Sequence, residues 1–320
     1  AGGPDTRPLY DRRSELDDTY SRIMLVDNTN EGYTYNVMLQ IQRAVGEGFN
    51  GSFAYTFGQA KSLNDGTSSQ NSSTWRYVEQ DRGRDFLDLR FSDFDMGHRI
   101  NGFLGYNKKY GGNYKTGVSI FYNAQSGRRF SYVIGNGNRM TNEDSRDNDL
   151  IYVPASQSDI NLIDYDDDGT NVSAADQWAA LEQYIANDAG LNASKGGYAD
   201  RNGSRIPFQT VLDFRFYQDF YIMSGGKKHT LQLTFDIFNL TNLINPDWGR
   251  RYFMTNDQFA LIQFEGFESG TNVPTYTFRH DADSPGDRGV QHQGLQPLEG
   301  SRPSNLGWGG REKPQIHHTD

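Results

Sequence analysis

The chain has 320 residues, of which 35% are hydrophobic, and it contains 20 Phe, 19 Tyr and no Cys. A net charge of −10 argues against a general nucleic-acid binder, which needs a basic face, and the lack of cysteine excludes disulfides and thiolate zinc sites. The mean hydropathy is −0.78, and no apolar run approaches the roughly 18 residues of a membrane-spanning helix. Residues 1–5 lack the basic and apolar regions of a signal peptide.

Residues 33–42 and 49–57 open the chain with a predicted β-hairpin. Apolar side chains occupy every second position on both sides of the glycine-rich turn 46–48. Alternation with a period of two indicates a β-strand with one apolar face, because successive side chains point to opposite faces. The turn is short and contains Gly46 and Gly48, which tolerate the backbone angles of a tight connection.

Two more hairpins follow the same plan. Residues 99–110 and 115–124 are joined by 111–113, and residues 207–221 and 228–242 are joined by 222–227. Their alternating cores are long enough to cross a bilayer as tilted strands, which takes roughly 9–11 residues. Two weaker strand candidates follow, at 248–254 and 259–267.

The remaining connections are long. Residues 62–97 and 125–206 separate the hairpins, and the second of these segments carries one convincing helix near 173–188. Ser173 is its expected N-cap, Trp178, Leu181 and Ile185 form an apolar stripe, and Gly190 is its expected end.

The short and long connections alternate along the chain, so all short ones fall at one end of the strands. Outer-membrane barrels show this asymmetry, with short periplasmic turns and long external loops. The sequence therefore predicts an all-β fold: an antiparallel up-and-down transmembrane β-barrel, partial with about eight to ten strands, with long external loops and one short loop helix. A soluble β-sandwich is the alternative fold.

Charged side chains lie well inside the third hairpin, opposite its apolar face. They are Asp213, Arg215, Asp219 and Asp236. An arginine facing lipid at mid-depth costs roughly 2–4 kcal/mol. We therefore expect these four side chains to face the lumen, where a plug would pack against them.

Other candidate site residues lie in the loops. Four aromatic residues are candidates for stacking on a ligand: Trp75, Tyr77, Trp178 and Trp248. Asp164, Asp166 and Asp168 resemble the start of a calcium loop, but Ala175 occupies the position where a bidentate carboxylate is needed. A solvated acidic loop is the alternative. No catalytic or nucleotide-binding motif is present, so we expect neither enzymatic activity nor another cofactor.

Several strings in the chain resemble the C-terminal barrel of TonB-dependent outer-membrane receptors, above all their Oar-like group. The resemblance runs from about residue 20 to about residue 267. The strings cover residues 30–36, 53–70, 92–100, 121–133, 148–154, 199–208 and 231–250. Their shared order and spacing carry the resemblance more than any one string does.

The resemblance implies an outer-membrane receptor that imports a large, scarce solute, energised by the inner-membrane TonB system through a plug. Such barrels have about 22 strands, so residues 1–280 would be the C-terminal portion of the barrel, without the plug. Residues 281–320 do not alternate, and we interpret them as an irregular tail, consistent with a shifted reading frame. The expected partners are outer-membrane lipid, the TonB system and an unknown solute, with no nucleic acid. A passive porin-like channel and a secreted β-sandwich that binds carbohydrate are the alternatives.

Overall fold

The computed structural model describes residues 3–10, 23–44, 46–143, 146–254 and 257–279, together with the backbone of residues 295–297. Most of the regular structure in these residues is β. The strands are β1 Tyr33–Arg43, β2 Gly48–Ser62, β3 Arg90–Phe91, β4 Gly97–Tyr110, β5 Tyr114–Gln125, β6 Arg129–Gly135, β7 Tyr152–Val153, β8 Tyr165–Asp167, β9 Thr170–Val172, β10 Gly197–Tyr198, β11 Ser204–Arg205, β12 Gln209–Ser224, β13 Lys227–Ile237, β14 Tyr252–Met254, β15 Gln258–Phe267, β16 Pro274–Thr277 and β17 Leu295–Pro297.

The helices are fewer and mostly short. They are α1 Asn71–Arg76, α2 Gly137–Thr141, α3 Ala174–Asn187, α4 Ala189–Ala193 and α5 Leu240–Ile244. The sequence predicted only α3, and its N-cap is confirmed because Ser173 accepts a hydrogen bond from the Asp176 amide. The predicted range near 173–188 is confirmed, but Gly190 does not end the helix. α3 ends at Asn187, and the Asp188 carboxylate accepts the amides of Gly190 and Leu191 and so caps α4.

Six long strands form one antiparallel sheet in the order β1-β2-β4-β5-β12-β13, which we call the wall sheet. Each strand pairs with its neighbours along the chain, which is the up-and-down arrangement predicted from the sequence. The short connections that follow β1, β4 and β12 lie at one end, and the long connections 63–96 and 126–208 lie at the other. The antiparallel, up-and-down β fold is confirmed. Six of the expected eight to ten strands are in the wall sheet, and the described strands leave it open at β1 and β13.

The register keeps mostly apolar side chains on one face of the wall sheet and mostly polar side chains on the other. Leu104 pairs with Ile120, Ile120 with Phe214, and Phe214 with Ile237. Directly paired residues point to the same face, so apolar side chains form a continuous band, the apolar face. Leu39, Leu231 and Phe235 in this band are 62%, 55% and 59% exposed, so no second sheet covers them.

The buried core of the protein lies outside the wall sheet. Its members come from the second long connection, 126–208, and from the segment after β13: Phe130, Tyr132, Ile134, Met140, Ile151, Val153, Leu162, Leu181, Tyr184, Ile185, Leu191, Ala199, Ile206, Met254, Phe259, Leu261, Ile262, Phe264, Tyr276 and Phe278. We call the described parts of residues 3–10, 63–96, 126–208 and 252–279 the loop unit. It caps the long-connection end of the wall sheet.

The loop unit is organised around a four-stranded sheet in the order β11-β6-β15-β16. β15 pairs with β6 in parallel, although more than a hundred residues separate them. The two weaker strand candidates therefore belong here and not in the wall. The predicted strand at 259–267 is confirmed as β15, and that at 248–254 shortens to β14, which pairs with the backbone of β17. The predicted tail, 281–320, otherwise lies outside the described residues.

Among the described residues, no helix has the length and hydrophobicity of a membrane-spanning segment.

Candidate functional site

A buried ion cluster joins the wall sheet to the loop unit. The Asp95 carboxylate is 1% exposed and accepts hydrogen bonds from the side chains of Arg129 in β6 and Arg205 in β11. Its other oxygen accepts the backbone amide of Ala60 in β2 at 2.7 Å. Burial, and then the neighbouring Arg129 charge, lowers the pKa of Arg205 to about 10. A single carboxylate thus holds a wall strand and two loop-unit strands together.

The segment that precedes the wall sheet is also built into the loop unit. Arg7 is fully buried, and its guanidinium donates to the Asp5 carboxylate at 2.9 Å and to the Leu150 carbonyl at 2.8 Å. The ring of Tyr198 lies 5.1 Å from the guanidinium carbon. The Tyr10 amide adds a further contact, because it donates a hydrogen bond to the Thr141 carbonyl at 2.8 Å. Four separate chain segments therefore fold as one cap.

A polar cavity of about 670 Å³ opens within the loop unit. A volume of this size falls in the range of small-molecule sites, roughly 300–1,000 Å³. It is lined by Asn64, Asp65, Thr67, Thr74, Tyr77, Val78, Glu79, Asp93, Arg146, Asp147, Asn148, Arg201, Asp257 and Gln258. Five carboxylates face two guanidinium groups, so the lining is predominantly acidic.

The cavity perturbs the ionisation of two of its carboxyls. Burial raises the pKa of Glu79 to about 7, and Gln258 donates a hydrogen bond to its carboxylate at 2.9 Å. Burial also raises the pKa of Asp257, although Arg128 pairs with it at 2.8 Å. Perturbed carboxyls in a concave polar site are a recognised mark of a functional site. We therefore take this cavity as the candidate solute-binding site of the loop unit.

The four predicted ligand-binding aromatics do not converge on one place. Tyr77 lines the cavity, is 47% exposed, and accepts a hydrogen bond from Arg146 at 2.8 Å. Trp75 stacks under the Arg84 guanidinium, and Trp178 packs against the core of the loop unit. Trp248 is 52% exposed near α5. Only Tyr77 of the four lines the cavity.

The three aspartates of the calcium hypothesis lie on the small hairpin of β8 and β9. Asp164 accepts the amide of Ala174 at 2.8 Å, and Asp166 accepts that of Gly169 at the same distance. Both carboxylates therefore stabilise local backbone. In the part of the chain that the structure describes, no group of three or more acidic or histidine side chains could hold a metal ion. The hypothesis gains no support from this hairpin and stays a prediction from the sequence.

The charged residues predicted to face the lumen share the polar face of the wall sheet. Arg215 pairs with Asp236 on the next strand at 2.6 Å. Asp219 accepts a hydrogen bond from Gln232 at 2.7 Å, and Asp213 accepts the Asn239 amide at 2.8 Å. The register places all four side chains opposite the apolar face. That this face lines a lumen stays a prediction.

A model of the family described as "Outer membrane beta barrel domain" matches residues 2–271. The chain belongs to this family. Searches of curated proteins and of solved structures found no match. Membership locates the protein in the outer membrane, and it agrees with an antiparallel sheet whose apolar face is uncovered. The alternative of a secreted β-sandwich is therefore wrong.

Sequence reasoning missed the cavity and the ion cluster of this outer-membrane barrel protein. Residues 63–96 and 126–206 look polar and irregular, and their contacts join positions far apart in the chain. Asp95 and Arg205, for example, are 110 residues apart. The only local signals were the D-x-D pattern at Asp93 and Asp95 and isolated apolar residues such as Phe130 and Tyr132. Those signals do not reveal a shared site.

Proposed function

We propose that this protein is a TonB-dependent receptor, which imports a large, scarce solute across the outer membrane with energy from the TonB system. An apolar patch on the mostly polar face of the wall sheet carries the proposal. Phe103 of β4 and Phe121 of β5 are direct cross-strand neighbours on that face, and they are 39% and 43% exposed. Asp213 lies opposite Phe121 on β12.

This combination suits a folded plug better than an open channel. In a water-filled lumen these phenylalanines would stay exposed to water. A packed plug would gain about 25 cal/mol of burial free energy for every Å² of apolar surface that it covers. The neighbouring ion pair of Arg215 and Asp236 remains available to a polar plug surface. A passive porin-like channel, in contrast, would need only polar side chains at this depth.

The loop unit would perform the capture step in this scheme. It folds over the long-connection end of the strands, which is external in barrels of this type, and it carries the acidic cavity lined by Glu79, Arg146 and Asp257. A solute bound there would be held at the entrance of the barrel. The TonB system would then act through the plug that the family resemblance implies.

The proposal is tested by comparing solute depletion from growth medium by three strains: wild type, a deletion of this gene, and a deletion of the TonB protein. We expect the gene deletion to abolish high-affinity uptake of a solute larger than the porin limit, and the TonB deletion to abolish uptake of the same solute. Uptake that needs this gene but proceeds without TonB would contradict the proposal and favour a passive channel.

A further inference from the structure

The cavity in the loop unit carries more negative than positive charge on its lining. Its carboxylates come from both long connections and from the segment after β13. They are Asp65, Glu79, Asp93, Asp147 and Asp257. The cationic groups that the structure places on this lining are the guanidinium groups of Arg146 and Arg201. A concave site lined mainly by one sign of charge concentrates solutes of the opposite sign.

The two guanidinium groups are held by uncharged neighbours. Arg201 is 4% exposed and donates to the Ser62 carbonyl at 2.6 Å and to the Leu63 carbonyl at 2.5 Å. Arg146 donates to the Tyr77 hydroxyl at 2.8 Å and lies over the Tyr77 ring at 4.8 Å from its centre. Among the described residues, neither arginine forms an ion pair with a carboxylate. The arginines therefore leave the negative charge of the lining largely uncompensated.

Two carboxylates of the lining are accessible to a solute. Asp93 is exposed, Asp147 is half-buried, and neither forms an ion pair within the described part of the chain. One oxygen of Asp93 accepts a hydrogen bond from the Asn202 side chain at 2.7 Å. One oxygen of Asp147 accepts the Asn138 amide at 3.2 Å. The second oxygen of each carboxylate remains for a solute.

The Asp93 charge also acts on its neighbours. Burial is the main reason that the pKa of Glu79 is raised to about 7, and the Asp93 charge contributes to the rise, whereas the Arg201 charge opposes it more weakly. Burial likewise raises the pKa of Asp257, and Asp93 contributes there too. A positively charged group bound among these carboxyls would relieve their mutual repulsion.

Two buried polar atoms on the lining lack a hydrogen-bond partner within the described residues. They are Oδ1 of Asp257 and Nε of Arg201. Buried polar atoms nearly always have a partner, so such exceptions call for an explanation. The aspartate oxygen needs a donor, and the arginine nitrogen needs an acceptor. A solute that carries both ammonium groups and carbonyl oxygens provides the two together.

We propose that this cavity binds a basic peptide, with ammonium groups of the peptide against Asp93 and Asp147 and a peptide carbonyl facing Arg201. The excess of carboxylates selects a cation over an anion, and the donor of Arg201 selects a peptide over a simple polyamine. A cavity of about 670 Å³ has the size of a small-molecule site, so it would take a short peptide or one basic segment of a longer one. The inference rests on the proposed function, because it names the class of solute that the loop unit would capture.

The test uses the protein purified from membranes into a neutral sugar detergent. Binding of trilysine is measured by isothermal titration calorimetry at neutral pH and low ionic strength. Trilysine with all three side-chain amines acetylated keeps the peptide backbone and removes the side-chain charges. Spermidine has the same net charge as trilysine and no carbonyl group. These three probes separate the two features of the proposed solute on the wild-type protein alone.

A pair of variants places the binding in the cavity. Asp93→Asn/Asp147→Asn removes two carboxylates from the lining and keeps the shapes of both side chains. The matched control is Asp247→Asn/Glu268→Gln, which removes two exposed carboxylates that lie outside the lining. Both variants therefore lose the same amount of negative charge.

We expect trilysine to bind the wild type, and the lining variant to raise its Kd about 30-fold, the effect of two partly exposed ion pairs. The control should change the Kd less than about threefold. Acetylated trilysine and spermidine should each bind at least about tenfold more weakly than trilysine. Absence of trilysine binding, equal affinity for either of the other probes, or equal weakening in both variants would overturn the proposal.

These measurements need neither a plug nor the TonB system. A failure of trilysine to bind would therefore overturn the peptide inference and leave TonB-dependent uptake of another solute in place. Uptake that proceeds without TonB would instead overturn the proposed function, whatever the binding experiment shows.

Discussion

At the scale of single residues, Asp95 connects the wall sheet to the loop unit. Its buried carboxylate binds two arginines and a wall-strand amide, so it satisfies three donors from three strands. Removing one partner of a buried ion pair lowers the free energy of unfolding by much more than the attraction between the two charges, because the remaining charge stays buried and unpaired.

We expect Asp95→Ala to destabilise the loop unit by about 3–5 kcal/mol, since it leaves Arg129 and Arg205 without a carboxylate. Urea unfolding followed by tryptophan fluorescence measures this loss, because Trp178 packs against the loop-unit core. Asp88→Ala is the control, as this aspartate is 46% exposed and pairs with Arg82 at the surface. It should cost no more than about 1 kcal/mol, and an equal loss in both variants would refute the special role of Asp95.

Several carboxyls of the loop unit are held away from water. Burial raises the pKa of Glu79 to about 7 and also raises the pKa values of Glu143, Asp149 and Asp257. For Glu79 the folded value exceeds the ordinary value of 4.5, so between the two the folded chain holds a proton that the unfolded chain has lost. Its contribution to stability is therefore complete below about pH 4.5 and is lost as the pH rises to about 7.

The loop unit should consequently be more stable at pH 5 than at pH 8. For Glu79 we expect a difference on the order of 2 kcal/mol, from about 1.4 kcal/mol per pKa unit reduced for its partial exposure. Urea unfolding at the two pH values measures it. The glutamine side chain in the Glu79→Gln variant cannot titrate, so this variant should lack the Glu79 contribution to the difference in stability between pH 5 and pH 8. A pH dependence that is unchanged in Glu79→Gln would show that other groups are responsible.

At the scale of the element, neighbouring positions of each wall strand differ in polarity, because their side chains lie on opposite faces of the sheet. Ile120 of β5 lies in the apolar row with Leu104 and Phe214, whereas Ser119 lies on the polar face opposite Arg215. One residue along the strand thus separates hydrocarbon from the barrel interior.

Ile120→Lys should therefore destabilise the membrane-inserted protein by about 2–4 kcal/mol, the cost of a cation facing lipid near mid-depth. Ser119→Lys introduces the same charge one position away and should cost clearly less, because the polar face is hydrated or packed by polar groups. Unfolding by guanidinium in lipid vesicles compares the two. Equal costs would mean that the two faces meet the same medium.

At the scale of the whole molecule, features set by residues close together in the sequence were predictable, and features set by contacts between distant segments were not. Alternation in β12 and β13, the short turns and the Ser173 cap are signals within a few residues of one another, and all are confirmed. The loop-unit core is different, because Phe130, Leu181 and Phe259 meet only after distant segments fold together. Neither periodicity nor spacing marks such residues, so the cavity was found only in three dimensions.

The claim that one face of the wall sheet meets lipid and the other meets the barrel interior can be measured directly, because the chain has no cysteine. Single cysteines would be placed at each position from Thr230 to Asp236 of β13. In intact outer membranes they would be treated with a water-soluble maleimide. We expect the even-numbered positions of the polar face to react and Leu231, Leu233 and Phe235 to be protected. Uniform reaction at all seven positions would contradict the account.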